Sequence, residues 1–196
     1  MATPFTDIRL EAGDTERSAR WYMKTVRNVA SGMNQPDEVF GSDLGEYAQQ
    51  LEIGQMYAFK YDPKHKETLP YYDTFPLVII ADPLPTGFSG INLHYVAPLI
   101  RARLLGKLMD DSDLEVDIKS KLNSKWGFIS NFSRYPEVRG SVKKYLTRQI
   151  GGRMYKVNPV HWKSAIFLET QSFVGAQASD IYRTSMARKP RKRRQV

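Results

Sequence analysis

Residues Tyr57–Tyr95 read YAFKYDPKHKETLPYYDTFPLVIIADPLPTGFSGINLHY, and the fold turns on this stretch. Side chains alternate along a strand, so Met56, Ala58 and Lys60 fall on one face and Tyr57, Phe59 and Tyr61 on the other. Leu77 to Ala81 is a continuous apolar run, short enough for a buried strand. Asp82-Pro83-Leu84-Pro85-Thr86-Gly87 then breaks it. Ile91, Leu93 and Tyr95 alternate with Asn92 and His94, the pattern of a half-buried strand. The expected class is α+β: a small antiparallel sheet or barrel over about residues 55–96, packed by several amphipathic helices.

The chain has 196 residues, the size of one domain with a core of its own. Residues 1–187 are read as that domain and 188–196 as a disordered basic arm. No apolar run approaches the roughly 20 residues of a transmembrane helix, so no membrane partner is expected. The opening MATPFTDIRL has neither a basic nor an apolar leader segment, and no secretory signal is expected. The absence of cysteine excludes disulfides and thiolate zinc sites. The net charge is +8, and Arg188, Lys189, Arg191, Lys192, Arg193 and Arg194 supply six of those charges, which leaves +2 for the body. A cationic arm of this density fits a polyanion, and a nuclear localisation signal or a solubilising tail would look the same.

Along the chain, residues 1–12 read as extended. Asp14 reads as a helix N-cap with Glu16 in the first turn. Ala19, Tyr22, Met23, Val26 and Val29 follow at helical spacing, and Gly32 and Pro36 close the element. Arg17, Arg20, Lys24 and Arg27 form a basic stripe on its other side, either a solvated face or a phosphate contact. Residues 31–54 read as a loop with a helical turn near Glu46–Leu51. Residues 62–76 are the most turn-like. Their Tyr71 and Tyr72, beside Lys64 and Lys66, either stack bases or pin the loop to the sheet. Pro98 opens a helix with Ile100, Leu104, Leu105, Leu108 and Met109 inward and Arg101, Arg103 and Lys107 away from that stripe. Leu114–Leu122 is ambiguous, and Trp126, Phe128, Ile129 and Phe132 read as core. Val138, Val142, Tyr145, Leu146 and Ile150 suggest another helix, stopped by Gly151-Gly152. Asn158-Pro159 reads as N-cap and first residue of a short helix with Trp162 and Ile166 buried. A last element runs over Asp180–Met186.

Metal-dependent nuclease chemistry needs clustered carboxylates. Asp62, Asp73, Asp82 and the Asp110–Asp117 patch are the acidic candidates. Glu115-Val-Asp117-Ile-Lys119 resembles the acidic-x-Lys step of restriction-type nucleases, a short and common pattern with no strand-end Asp placed upstream, and is read as chance. His65, His94 and His161 lack metal-ligand spacing, and His94 reads as a hydrogen-bonded structural residue. Phosphate-binding loops, nucleophile elbows and dinucleotide-binding glycines do not occur. The chain is therefore read as a non-enzyme without metal or other cofactor.

The strings YAFKYDPKHKETLPYYDTFPLVI and GFSGINLHYV, with the Pro98 helix, resemble the DNA end protector proteins of T-even-like tailed bacteriophages, minor head-completion components. The likeness covers about a fifth of the chain, and RLEAGDTERSARWY is a weaker echo. The resemblance implies a virion protein that binds the ends of packaged linear double-stranded DNA, shields them from host exonuclease, and meets other virion subunits of the portal, neck or tail. It would reside in the virion, and in the host cytoplasm after synthesis or injection. The alternative is a purely structural subunit of the neck, tail or baseplate. On the first reading the DNA contacts are Arg17, Arg20, Lys24, Arg27, Lys64, Lys66, Tyr71, Tyr72 and the six arm cations.

Overall fold

The computed structural model describes residues 4–13, 17–31, 36–109 and 136–187. The arm cations Arg188, Lys189, Arg191, Lys192, Arg193 and Arg194, the Asp110–Asp117 patch and the Trp126–Phe132 cluster lie outside them, as do Asp14, Glu16 and Gly32.

The fold is α+β and is organised by one antiparallel sheet. Its strands are β1 (Gly45–Tyr47), β2 (Met56–Tyr61), β4 (Leu77–Leu84), β5 (Gly87–Asn92), β6 (Val142–Leu146) and β7 (Ile150–Val157), in the order β1-β7-β2-β4-β5-β6. A separate pair joins β3 (Tyr72–Asp73) to β8 (Phe173–Val174). Around the sheet stand α1 (Pro4–Ala12), α2 (Ala19–Ala30), α3 (Pro36–Val39), α4 (Pro98–Met109), α5 (Pro136–Arg139), α6 (Trp162–Ala165) and α7 (Ala178–Ala187).

The alternation expected for β2 holds. Met56 and Ala58 join Leu77, Ile79 and Ile91 in a cluster reached by Phe5, Ile8, Val26, Leu104 and Trp162 from the helices. Tyr57, Phe59 and Tyr61 join Val78, Ile80, Phe88 and Tyr145 in a second cluster on the opposite face. Both faces of β4 are buried, which is why LVII is continuously apolar.

The sheet extends beyond residues 55–96, and it is not a barrel. Among the described residues β1 and β6 are its edge strands. It is nevertheless strongly curled. β7 and β6 are four strand spacings apart, about 19 Å in a flat sheet. The chain from Leu146 to Ile150 can span no more than about 14 Å, and a 3-10 turn over Thr147–Gln149 covers it. The sheet must bend to let it. Tyr61 and Tyr145, from strands that do not pair, accordingly stand 4.9 Å apart between ring centroids, and Tyr61 Oη accepts from Leu146 N.

Several expectations are corrected. Residues 4–12 form a helix rather than an extended arm, because Phe5, Ile8 and Ala12 share one buried face. Ser18 caps α2, accepting from Trp21 N. Residues 36–44 are helical, ending in a π turn before β1, in place of the expected loop, and no helical turn forms at Glu46. β4 passes a bulge at Ala81 and continues through Asp82-Pro83 to Leu84. It can do so because β2 pairs only with its first half, so Pro83 removes no ladder hydrogen bond on that side. β5 ends at Asn92, and Leu93–Tyr95 is a buried 3-10 turn capped by the Asn92 side chain. Val142–Ile150 is not a helix. Ser141 Oγ and N both close on the Val138 carbonyl and end α5, and the β-branched and aromatic residues that follow pair with β5. Gly151 and Gly152 lie inside β7 at a register shift, with Gly152 at φ +81°.

The Asn158-Pro159 start is as expected, with Trp162 and Ile166 buried. Gly90 has a positional reason: a Cβ there would collide with Val78 and the Ile79 carbonyl.

Candidate nucleic-acid interface

α2 places Arg20, Lys24 and Arg27 on its exposed side, while Val26 is fully buried and Trp21, Tyr22 and Met23 pack against the core. Arg17 precedes the helix, donates to the Glu11 carbonyl and lies 5.4 Å from the Trp21 ring centroid. The stripe does not act as one unit. Arg17 and Arg20 line a groove of about 580 Å³ between α2, α4 and α6, together with Arg103 and Lys163. Leu99, Ala102 and Ile166 contribute apolar wall, and among the described residues no carboxylate lines it. All four cations are exposed. Arg27 turns instead to Glu169, 2.6 Å away, beside a different groove. Lys24 is exposed and lines neither groove.

The second candidate surface is a cleft of about 450 Å³ where the ends of β2, β5 and β6 meet the 62–73 loop. Lys64, Tyr71 and Tyr72 line it, joined by Lys143 and Lys144 of β6. Tyr71 leans on Tyr95 with ring centroids 6.0 Å apart, and Phe173 braces Tyr95 edge-on at 5.1 Å. Lys143 Nζ sits 4.1 Å from the Tyr95 ring centroid, a cation–π contact that fixes the amine. Lys66 is not among the lining residues. It faces Asp62 at 2.8 Å, four residues back.

Beneath the cleft lies a buried polar network. Asp73 accepts from His94 Nδ1 at 2.7 Å, Asn92 Nδ2 at 3.2 Å, and the Phe75 and Ser172 amides at 3.1 Å each. Burial alone would push the Asp73 carboxyl up, but His94 and the backbone donors outweigh it, and its pKa lies below the ordinary value. Burial pushes the His94 imidazole down, with the Arg101 charge acting the same way against Asp73. The pair is a carboxylate and a neutral imidazole. Four donors suffice for the carboxylate, and protonating His94 would place a second cation near Arg101. His94 Nε2 lies 3.4 Å from Thr170 Oγ1. The imidazole is completely buried, so this chain of groups positions β3, β8 and the Leu93–Tyr95 turn and meets no substrate.

Arg101 corrects the sequence reading. It points inward at 2 % exposure, donating from Nε to the Val96 carbonyl, from one terminal nitrogen to the Ile166 carbonyl and from the other to Tyr182 Oη. The helical wheel placed it outside the apolar stripe, but the guanidinium finds polar partners on three segments.

A family model described as the phage T4 terminal DNA protecting protein matches residues 9–186. The chain belongs to that family. No curated protein and no solved structure matches it. The match to the terminal DNA protecting family runs from α1 to α7 and includes both the groove and the cleft. Among the described residues no group of His, Cys, Asp or Glu is placed to hold a metal ion, and no helix is long and apolar enough to cross a membrane.

Four members of these two surfaces had no assigned role in the sequence. Arg103 was read only as pointing outward. Lys163, between Trp162 and Ser164, belongs to no basic cluster in the sequence. Lys143 and Lys144 were read on a helix, and only the β5–β6 pairing brings them to the 62–73 loop.

Proposed function

We propose that the chain binds the termini of linear double-stranded phage DNA, shields them from host exonuclease without cutting or joining them, and completes the head beside other virion subunits. The observation that carries this reading is the groove. In a member of a terminal DNA protecting family, α2 with the residue before its cap, α4 and α6 bring Arg17, Arg20, Arg103 and Lys163 together, with no carboxylate among the described lining residues to offset them. Cations held on a rigid frame contact several phosphates at once and fix a register on the duplex. The arm cations of residues 188–196 add affinity without end information, because phosphates look alike along DNA.

A gel-shift comparison of linear and covalently closed circular duplex tests the proposal, with exonuclease digestion in parallel. Preference for the linear form and protection of its ends are expected. Changing Arg17, Arg20, Arg103 and Lys163 together to Ala should flatten the slope of log affinity against log salt by up to about 3.6 units, since each phosphate contact contributes roughly 0.9. Truncation after Ala187 should flatten it by up to about 5 units for six arm contacts. DNA length should stay unchanged with Mg²⁺ or Mn²⁺. A chain without salt-sensitive DNA binding would instead be a structural subunit of the neck, tail or baseplate.

A further inference from the structure

We propose that the cleft beside β6 accepts a single unpaired nucleotide at a DNA terminus. The inference rests on the DNA-terminus reading above and adds to it a site and a ligand form. A cleft of about 450 Å³ lies within the roughly 300–1,000 Å³ of small-molecule sites. One nucleotide enters such a space, and a duplex does not.

The chemistry of the walls gives the nucleotide an orientation. Tyr71 and Tyr72 are half-buried, with ring surface left for a base to stack on. Tyr71 is held in place by Tyr95, itself braced by Phe173, so little side-chain freedom is lost on binding. Lys64 and Lys144 are exposed at the rim, and Lys143 is positioned by its contact with Tyr95. The rim therefore suits the phosphate. The deep side suits the polar edge of the base. Tyr61 Oη accepts from Leu146 N and keeps a proton to donate. Asp73, the one carboxylate among the described lining residues, is 4 % exposed and saturated by four donors, so its charge faces the interior and not the phosphate at the rim.

The site explains how a protein can tell an end from the interior of a duplex. Only a terminus, frayed or carrying an overhang, offers an unpaired base next to continuous double-stranded DNA. The groove would then hold the duplex generically, and the cleft would read the end.

Fluorescence anisotropy on DNA hairpins with one open end tests this. The open end is blunt, or carries a single-nucleotide overhang, or carries the same overhang made abasic. The overhang should bind at least about fivefold tighter than the blunt end, and the abasic one should lose that gain. Tyr71→Ala should erase the gain, so that this variant binds the overhang no tighter than it binds the blunt end. Lys64→Ala, at an exposed position that does not endanger folding, should reduce it. Equal affinity for all three hairpins would overturn the cleft and leave the DNA-end reading standing. If no hairpin binds, the terminus reading fails, and a trinucleotide followed by tyrosine side-chain NMR decides the cleft separately. Shifts of the Tyr71 and Tyr72 resonances would support it, and their absence would overturn it.

Discussion

The helix-lined groove and the cleft beside β6 both surround a cavity with cations, yet they are built in opposite ways. The groove draws exposed Arg and Lys side chains from the outer sides of α2, α4 and α6, with apolar side chains as wall. The cleft is set into the end of a curled sheet, over a fully buried Asp73–His94 pair. The groove cations are exposed side chains on segments that pack by their other faces, so their charge is turned to solvent. The floor of the cleft shares Asp73, Asn92, Tyr95 and Tyr145 with the core, so that part of its shape cannot be changed apart from the stability of the protein.

The largest expected effect separates the two at once. Asp73→Ala removes the acceptor of four hydrogen bonds and leaves buried donors unpaired near Arg101, and should cost about 3–5 kcal/mol in urea unfolding. Each groove substitution should stay within about 0.5 kcal/mol. A groove variant less stable than Asp73→Ala would break the contrast. Next comes Gly90→Ala, which forces β4 and β5 apart by a Cβ that meets Val78 and the Ile79 carbonyl, and should cost about 1–3 kcal/mol.

Acid should act through the cleft and not through the groove. The unfolded chain takes up a proton on His94 near its ordinary pKa of 6.5, and the folded chain resists this to lower pH. Stability contributed by the neutral imidazole is therefore present above that pH and lost as pH falls below it. Asp73, also depressed, adds a second loss below about pH 4. The groups facing His94 are Asp73, Arg101 and Thr170. Urea midpoints measured from pH 7.5 to 5 should fall, and His94→Gln should flatten that fall. An unchanged slope in the variant would place the titration elsewhere. The smallest effect belongs to the Arg27–Glu169 pair. Both partners are about 60 % exposed, and a double-mutant cycle should give no more than about 0.5 kcal/mol.

The sequence made the centre of the sheet legible because local pattern determined it. Alternation in β2 and the unbroken apolar run in β4 predict two buried faces, and two buried faces are found. The outer strands were not legible. Val142, Tyr145, Leu146 and Ile150 fit a helical spacing as well as a strand, and what decides between them is an edge of β5 about fifty residues earlier. The candidate surfaces follow the same division. Arg17 and Arg20 could be read from helical periodicity. Lys143 could not, since its place depends on long-range pairing. Arg101 was misplaced because periodicity reports hydrophobicity and not the carbonyls of Val96 and Ile166 that await it.

The short turn at Thr147–Gln149 also bears on how the protein comes into being. β2, β4 and β5 neighbour one another and can assemble as soon as they leave the ribosome. Both flanks of that meander then stay unpaired until residues 142–157 are made, because β6 covers one side and β7 the other. One late segment thus latches both edges together. Until it arrives, the nascent chain exposes open strand edges of the kind that recruit other chains. Loss of the latch by truncation or by a break at Thr147 should release both flanks together.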